Sequence, residues 1–132
     1  MDETHNIFGE PIAICSTDPM TGFKRDGCCS ADPYDEGNHS VCAVLTEAFL
    51  DYTAKQGNDL RTPMPRFGFP GLQAGDRWCL CAGRWLEAAR AGVAPPIVAR
   101  ATSAMALEVV PRDYLLQYAV DREEPRAAGQ TM

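Results

Sequence analysis

Ten prolines and eleven glycines punctuate a chain of 132 residues, so few windows are long enough for a regular element. The densest stretch runs from 57 to 75, with prolines at 63, 65 and 70 and glycines at 57, 68, 71 and 75. Neither a helix nor a central strand persists through it. A loop of this length in a compact domain is either packed on the core or forms the wall of a binding cleft, and Phe67, Phe69 and Leu72 are its anchors to the core. A second polar stretch, 17–38, is equally rich in turn formers and reads as an ordered loop with a short hairpin.

Regular structure is confined to what remains. Ile12-Ala13-Ile14-Cys15, following Pro11, suits a first strand. Val41, Val44, Leu45, Ala48, Phe49 and Tyr52 recur at helical spacing, which predicts a helix over 41–56, started by Asn38 or Ser40, ended by Gly57 and carrying Cys42 in its first turn. Arg77-Trp78-Cys79-Leu80-Cys81 reads as a short strand with Cys79 and Cys81 on one face and Trp78 and Leu80 on the other, the alternative being one continuous helix capped by Asp76. A helix from Arg84 to Ala91, closed by Gly92, follows it, so Cys81 lies just before a helix N-terminus. Ile97-Val98-Ala99-Arg100 is strand-like, Thr102 caps a short helix through Leu107, and a closing helix follows Pro111. The fold class that results is α+β: one small domain over 1–120, with a short, mostly antiparallel sheet, two or three helices and long ordered loops. Residues 121–132 are charged and lack apolar periodicity, which predicts a flexible, frayed tail.

The net charge of −6 argues against a nucleic-acid partner, because only two of the twelve basic residues are lysines and the arginines form no stripe. A membrane role lacks support for the same electrostatic reason and for want of a long apolar run. A protein partner or a small ligand remains. The acidic, polar opening Met1-Asp2-Glu3-Thr4-His5-Asn6 is the reverse of a signal peptide, which predicts a cytoplasmic location where structural disulfides are uncommon.

Against that background six cysteines stand out: Cys15, Cys28, Cys29, Cys42, Cys79 and Cys81. A metal site is one reading. Cys28, Cys29, His39, Cys42, Cys79 and Cys81 come as close pairs from separate segments, the presentation that structural zinc requires, although no pair has the C-x-x-C spacing. A reactive thiol is another, with Cys81, Cys29 or Cys42 as nucleophile, Arg25, Arg77 or His39 as positive partner and Asp26 orienting the imidazole. Redox pairing between segments is a third, and simple burial of thiols such as Cys15 and Cys42 a fourth. Asp18, Asp26, Asp32, Asp35 and Glu36 gather in one loop without the spacing of a calcium loop, so they read as turn caps. Trp78 and Trp85 read as core and interface anchors.

Several longer strings resemble a bacterial family, the domain of unknown function family 2237. They are Cys15-Ser16-Thr17-Asp18-Pro19-Met20-Thr21-Gly22-Phe23, Arg25-Asp26-Gly27-Cys28-Cys29, His39-Ser40-Val41-Cys42-Ala43-Val44, Gly57-Asn58-Asp59-Leu60, Phe67-Gly68-Phe69-Pro70-Gly71-Leu72 and Gly75-Asp76-Arg77-Trp78-Cys79-Leu80-Cys81. The similarity runs from about Asn6 to Tyr118 and implies a single small bacterial domain. It carries no activity, cofactor or catalytic residue with it.

Overall fold

The computed structural model describes residues 4–30 and 34–121. Its centre is strand β1 (His39–Val44), paired antiparallel with β2 (Arg77–Cys81) in the register His39↔Cys81, Val41↔Leu80, Cys42↔Cys79, Ala43↔Trp78 and Val44↔Arg77, with an irregularity at Ser40. The opposite edge of β1 is covered as well. Val44 N–H donates to the Pro96 carbonyl at 2.8 Å, and Val98 N–H donates to the Cys42 carbonyl at 2.8 Å.

This arrangement corrects the helix expected over 41–56. Residues 41–43 are buried on both faces, because the strand lies between two cores, and an amphipathic helix turn there would have exposed one side. The helical spacing of Val41, Val44 and Leu45 is therefore accidental, and Cys42 is a strand residue. The helix itself, α1 (Glu47–Lys55), starts six residues later, where the Thr46 side chain accepts from Phe49 N–H at 3.1 Å.

The period of two then sorts the strand side chains between two clusters. Val41, Ala43, Trp78 and Leu80 join Phe49 and Leu50 of α1, Trp85 and Leu86 of α2 (Ala82–Arg90) and Leu115 of α3 (Arg112–Tyr118) in the main core. Cys42 and Cys79 point the other way, into a smaller cluster with Cys15, Cys29, Val98 and Ala101. Trp85 anchors the larger core: its ring is fully buried, its Nε1–H donates to the Pro95 carbonyl at 3.0 Å and Tyr118 meets it edge-on at 5.1 Å. The expectations for β2, for the helix after it and for the helix after Pro111 all match this architecture, a small α+β fold with three α-helices and a two-stranded antiparallel sheet among the described residues.

Three local expectations change. The 12–15 stretch joins no strand pair; Ala13 N–H donates to Arg100 O and Cys15 N–H to Gly27 O instead. The segment at 97–100 turns into a 3₁₀ helix at Ala99–Ala101, whose first two N–H groups donate to the Asp121 carboxylate at 2.6 and 3.1 Å, so Asp121 is anchored; residues 122–132 lie outside the described residues. Thr102 is no helix cap. It is fully buried, accepts from Cys42 N–H at 3.2 Å and donates to Val98 O at 2.9 Å, while Ser103 caps the 3₁₀ helix Ala104–Glu108. Among the described residues no helix is long and apolar enough to cross a membrane.

The two long loops flank β2. Thr21, in the first, is fully buried and accepts from Cys79 N–H at 2.9 Å, which fixes that loop against the free edge of β2. In the second, Leu72 is buried and Phe69 meets Trp78 edge-on at 5.5 Å, as their role of anchors requires. Phe67 does not anchor: it is 69% exposed at the tip of a tight Met64–Phe69 turn, because the intervening 3₁₀ turn Pro65–Phe67 projects it outward.

Candidate functional site

Four of the six cysteines are paired between segments. Cys15 joins Cys42 and Cys29 joins Cys79, with Cα separations of 5.7 and 5.2 Å. Because Cys42 and Cys79 are cross-strand partners, the two disulfides lie side by side, and the sulfurs of Cys15, Cys29 and Cys79 all fall within 4.8 Å of one another. The rarity of disulfides expected from a cytoplasmic setting does not hold for this chain. The six residues read as metal ligands are correspondingly divided: Cys29, Cys42 and Cys79 are in disulfides, Cys28 and Cys81 are free thiols, and His39 is turned towards a carboxylate.

That carboxylate belongs to Asp35. Its side chain is 1% exposed, its Oδ2 accepts from the His39 backbone N–H at 2.8 Å, and its Oδ1 lies 2.7 Å from His39 Nδ1. An ionised carboxylate only accepts, so Nδ1 is the donor in this contact, and in a neutral imidazole Nε2 is then the nitrogen with the lone pair. The ring is fixed from other sides too. Phe23 stacks on it with centroids 6.5 Å apart, and a Cβ on Gly37 would stand 2.6 Å from His39 Cε1, so only glycine leaves room for the imidazole there. Asn38, at φ 49°, turns the chain into β1, and its carbonyl accepts the first N–H of α2, from Ala82, at 3.0 Å.

Cys81 is the cross-strand partner of His39. The pairing falls at the Ser40 irregularity, so regular-ladder spacing does not apply to it, but both residues line one recess. Cys81 also ends β2 and forms the N-cap of α2 without using its side chain as a cap, so its partly exposed sulfur lies at the positive end of a helix. Cys28 differs. Burial, and then the neighbouring Asp26 carboxylate, push its thiol up from the ordinary value, and Asp26 Oδ1 accepts from Cys28 N–H at 3.0 Å.

Asp26 therefore faces Cys28, and the residue that orients the imidazole is Asp35, four residues before His39 and present in the sequence only as one of a group of acids. Arg25 lies over the Trp78 ring at 5.2 Å and donates through Nη1 to Gly22 O at 2.7 Å. Arg77 pairs with Val44 at the far end of β2 from Cys81; the arginine that shares a recess with Cys81 is Arg84, whose Nη1 donates to Gln56 O at 3.0 Å. Asp35 and Asp26 are each committed to a single partner, and Asp32 lies outside the described residues.

A cleft of about 430 Å³ opens beside these groups, walled by Phe23 and Arg25 from the first long loop, Met64, Phe67 and Phe69 from the second, and Trp78 from β2. It shares His39, Leu60, Trp78 and Cys79 with a smaller, polar recess of about 200 Å³ that holds Cys81, Asn58 and Arg84. The loop at 57–75 is thus a cleft wall, and Trp78 belongs to that wall as well as to the core. An apolar chamber leading to a few convergent polar groups is the usual form of a small-molecule site.

Comparison with curated proteins finds no match. The family model described as "Uncharacterized protein conserved in bacteria (DUF2237)" matches residues 5–119, which contain every element of the fold and every residue of the site, and the chain belongs to that family.

Proposed function

We propose that the protein is a small thiol enzyme in which Cys81 is the nucleophile, His39 its base and Asp35 the group that orients the base. The observation that carries this reading is the buried Asp35 carboxylate holding both the backbone and Nδ1 of His39, with Cys81 directly across the strand pair. A thiol, an imidazole and an orienting carboxylate in that order are the working parts of cysteine-nucleophile catalysis. The Cys81 proton passes to His39 Nε2, the sulfur forms a bond to an electrophilic carbon of the substrate, and the leaving group takes the proton from Nε2 as its bond to that carbon breaks. The aromatic cleft accepts the apolar body of the substrate and the adjoining recess its reactive end. The role requires Cys81 to be a free thiol, and a reducing cytoplasm would keep it so while also favouring the opened form of the two disulfides.

Alkylation by iodoacetamide at neutral pH, followed peptide by peptide, tests the assignment. Cys81 reacts at least tenfold faster than Cys28, and His39→Gln and Asp35→Asn each slow Cys81 by an order of magnitude while Cys28 is unchanged. Equal, slow labelling of the two thiols, or a Cys81 rate indifferent to His39→Gln, overturns it.

A further inference from the structure

We infer that the four buried cysteines Cys15, Cys29, Cys42 and Cys79 form, once reduced, a tetrathiolate zinc site. This is a ligand set different from the one the sequence suggests. Four separate segments deliver the sulfurs: the stretch after Pro11, the middle of the first long loop, β1 and β2. Each residue is at most 3% exposed, and their surroundings are Val98, Ala101, Ile12 and Val44.

Geometry points to a metal. Zinc bound tetrahedrally by four thiolates at about 2.3 Å holds its sulfurs about 3.8 Å apart. Three of the four sulfurs, one from Cys15 and two from the Cys29–Cys79 pair, already lie within 4.8 Å of one another, and the fourth, on Cys42, is bonded to Cys15 and mounted opposite Cys79 on the paired strand. Opening both disulfides frees each sulfur to move by rotation about its Cα–Cβ bond, from Cα atoms 5.7 and 5.2 Å apart within the two pairs. Four protein ligands leave no open position on the metal, as in a structural rather than a catalytic zinc site. Cys28 and Cys81, the two cysteines outside the set, are the two that are left free.

The chemistry closes. A phosphine reductant opens the two disulfides to four thiols, two molecules of phosphine becoming two of phosphine oxide as water supplies oxygen and protons. Zinc binding then displaces the four thiol protons. In the reverse direction two molecules of hydrogen peroxide take four electrons from the four thiolates, re-forming both disulfides and releasing the zinc ion and four hydroxide ions.

Protein reduced with a phosphine under anaerobic conditions, freed of phosphine and exposed to zinc chloride or cobalt chloride is the material for the test. Native mass spectrometry shows one zinc per chain, cobalt gives the absorption of a tetrahedral four-sulfur site, and two equivalents of peroxide release the metal. Cys15→Ser and Cys29→Ser each abolish the four-sulfur spectrum. The inference is overturned if the reduced wild-type chain takes up no metal, or if its cobalt spectrum is that of a mixed nitrogen and sulfur site. It is overturned equally if either serine variant keeps the wild-type spectrum. The wild-type spectrum decides the matter even where a serine variant fails to fold.

Discussion

Reducing both disulfides in the presence of a chelator is the perturbation whose size follows most directly from the structure. Cys15 and Cys42 are 27 residues apart in sequence and Cys29 and Cys79 are 50 apart. Loop-closure entropy puts the constraint on the unfolded chain at about 3.5 kcal/mol for the shorter link alone and about 4 kcal/mol for the longer. The links interleave, since Cys29 lies inside the first ring and Cys42 inside the second, so each shortens the loop that the other closes and the joint effect is less than the sum. A loss of about 4 kcal/mol is the lower bound. With a urea dependence of about 2 kcal/mol per molar for a domain of this size, the unfolding midpoint falls by about 2 M. The assay is equilibrium urea unfolding followed by tryptophan fluorescence, which reports the buried Trp85, on oxidised and phosphine-reduced protein with chelator present. Midpoints within about 0.3 M of each other would refute the reasoning, because they would mean that the two links constrain nothing that folding has to order. If the reduced thiols also hold zinc, adding the metal in place of chelator restores part of the lost midpoint.

Four smaller perturbations follow. Gly37→Ala drives a methyl group into the His39 ring, and the expected outcome is a fall of about tenfold in Cys81 alkylation with little change in the urea midpoint. Thr46→Ala removes the cap that accepts from Phe49 N–H and costs about 1 kcal/mol, read from the same unfolding curve. Thr102→Val leaves the buried Cys42 N–H without its acceptor and costs about 1–3 kcal/mol, enough to separate it from an exposed substitution. The Thr62 hydroxyl and the backbone N–H of Arg61 hold the Asp59 carboxyl below its ordinary value. Because the folded group titrates below the unfolded one, its contribution to the loop is fully present above the ordinary carboxylate range, near 4, and is lost as pH falls through the depressed value. The amide resonances of Arg61 and Thr62, followed by NMR, shift with a midpoint below 4, and a midpoint at or above 4 contradicts the hydrogen-bonding pattern.

What could be read from the chain depended on whether the deciding interaction was local. Strand β2 and the helix that follows Cys81 were legible because alternation, a glycine stop and a turn before Arg77 all lie within a few residues of the elements they define. Strand β1 was not. Its residues match a helical period when taken alone, and what makes them a strand is β2 on one edge and the 96–98 segment on the other, more than thirty and fifty residues away. The same distance hid the site. Asp35 is a short step from His39 in sequence, yet nothing local distinguishes it from Asp26 or Asp18, and its choice as partner follows from a burial that the whole fold imposes. Cysteine pairing, likewise, is a property of the strand register, which sets Cys42 against Cys79, and of the loop that brings Cys15 and Cys29 onto that pair.

The loop between those two cysteines has a further consequence. It is stitched to neighbouring strands at both of its ends, and midway Thr21 is bonded to the edge of β2, so Phe23 and Arg25 are presented from a frame with three fixed points. A ligand entering the cleft meets a wall whose conformational freedom was given up when the chain folded, and association proceeds without that ordering penalty. Cutting the stitches leaves Phe23 and Arg25 chemically intact but returns the penalty to the moment of binding. The affinity of the cleft for the substrate proposed above would therefore depend on whether four sulfurs are oxidised or reduced, although only Cys79 of the four lines the cleft.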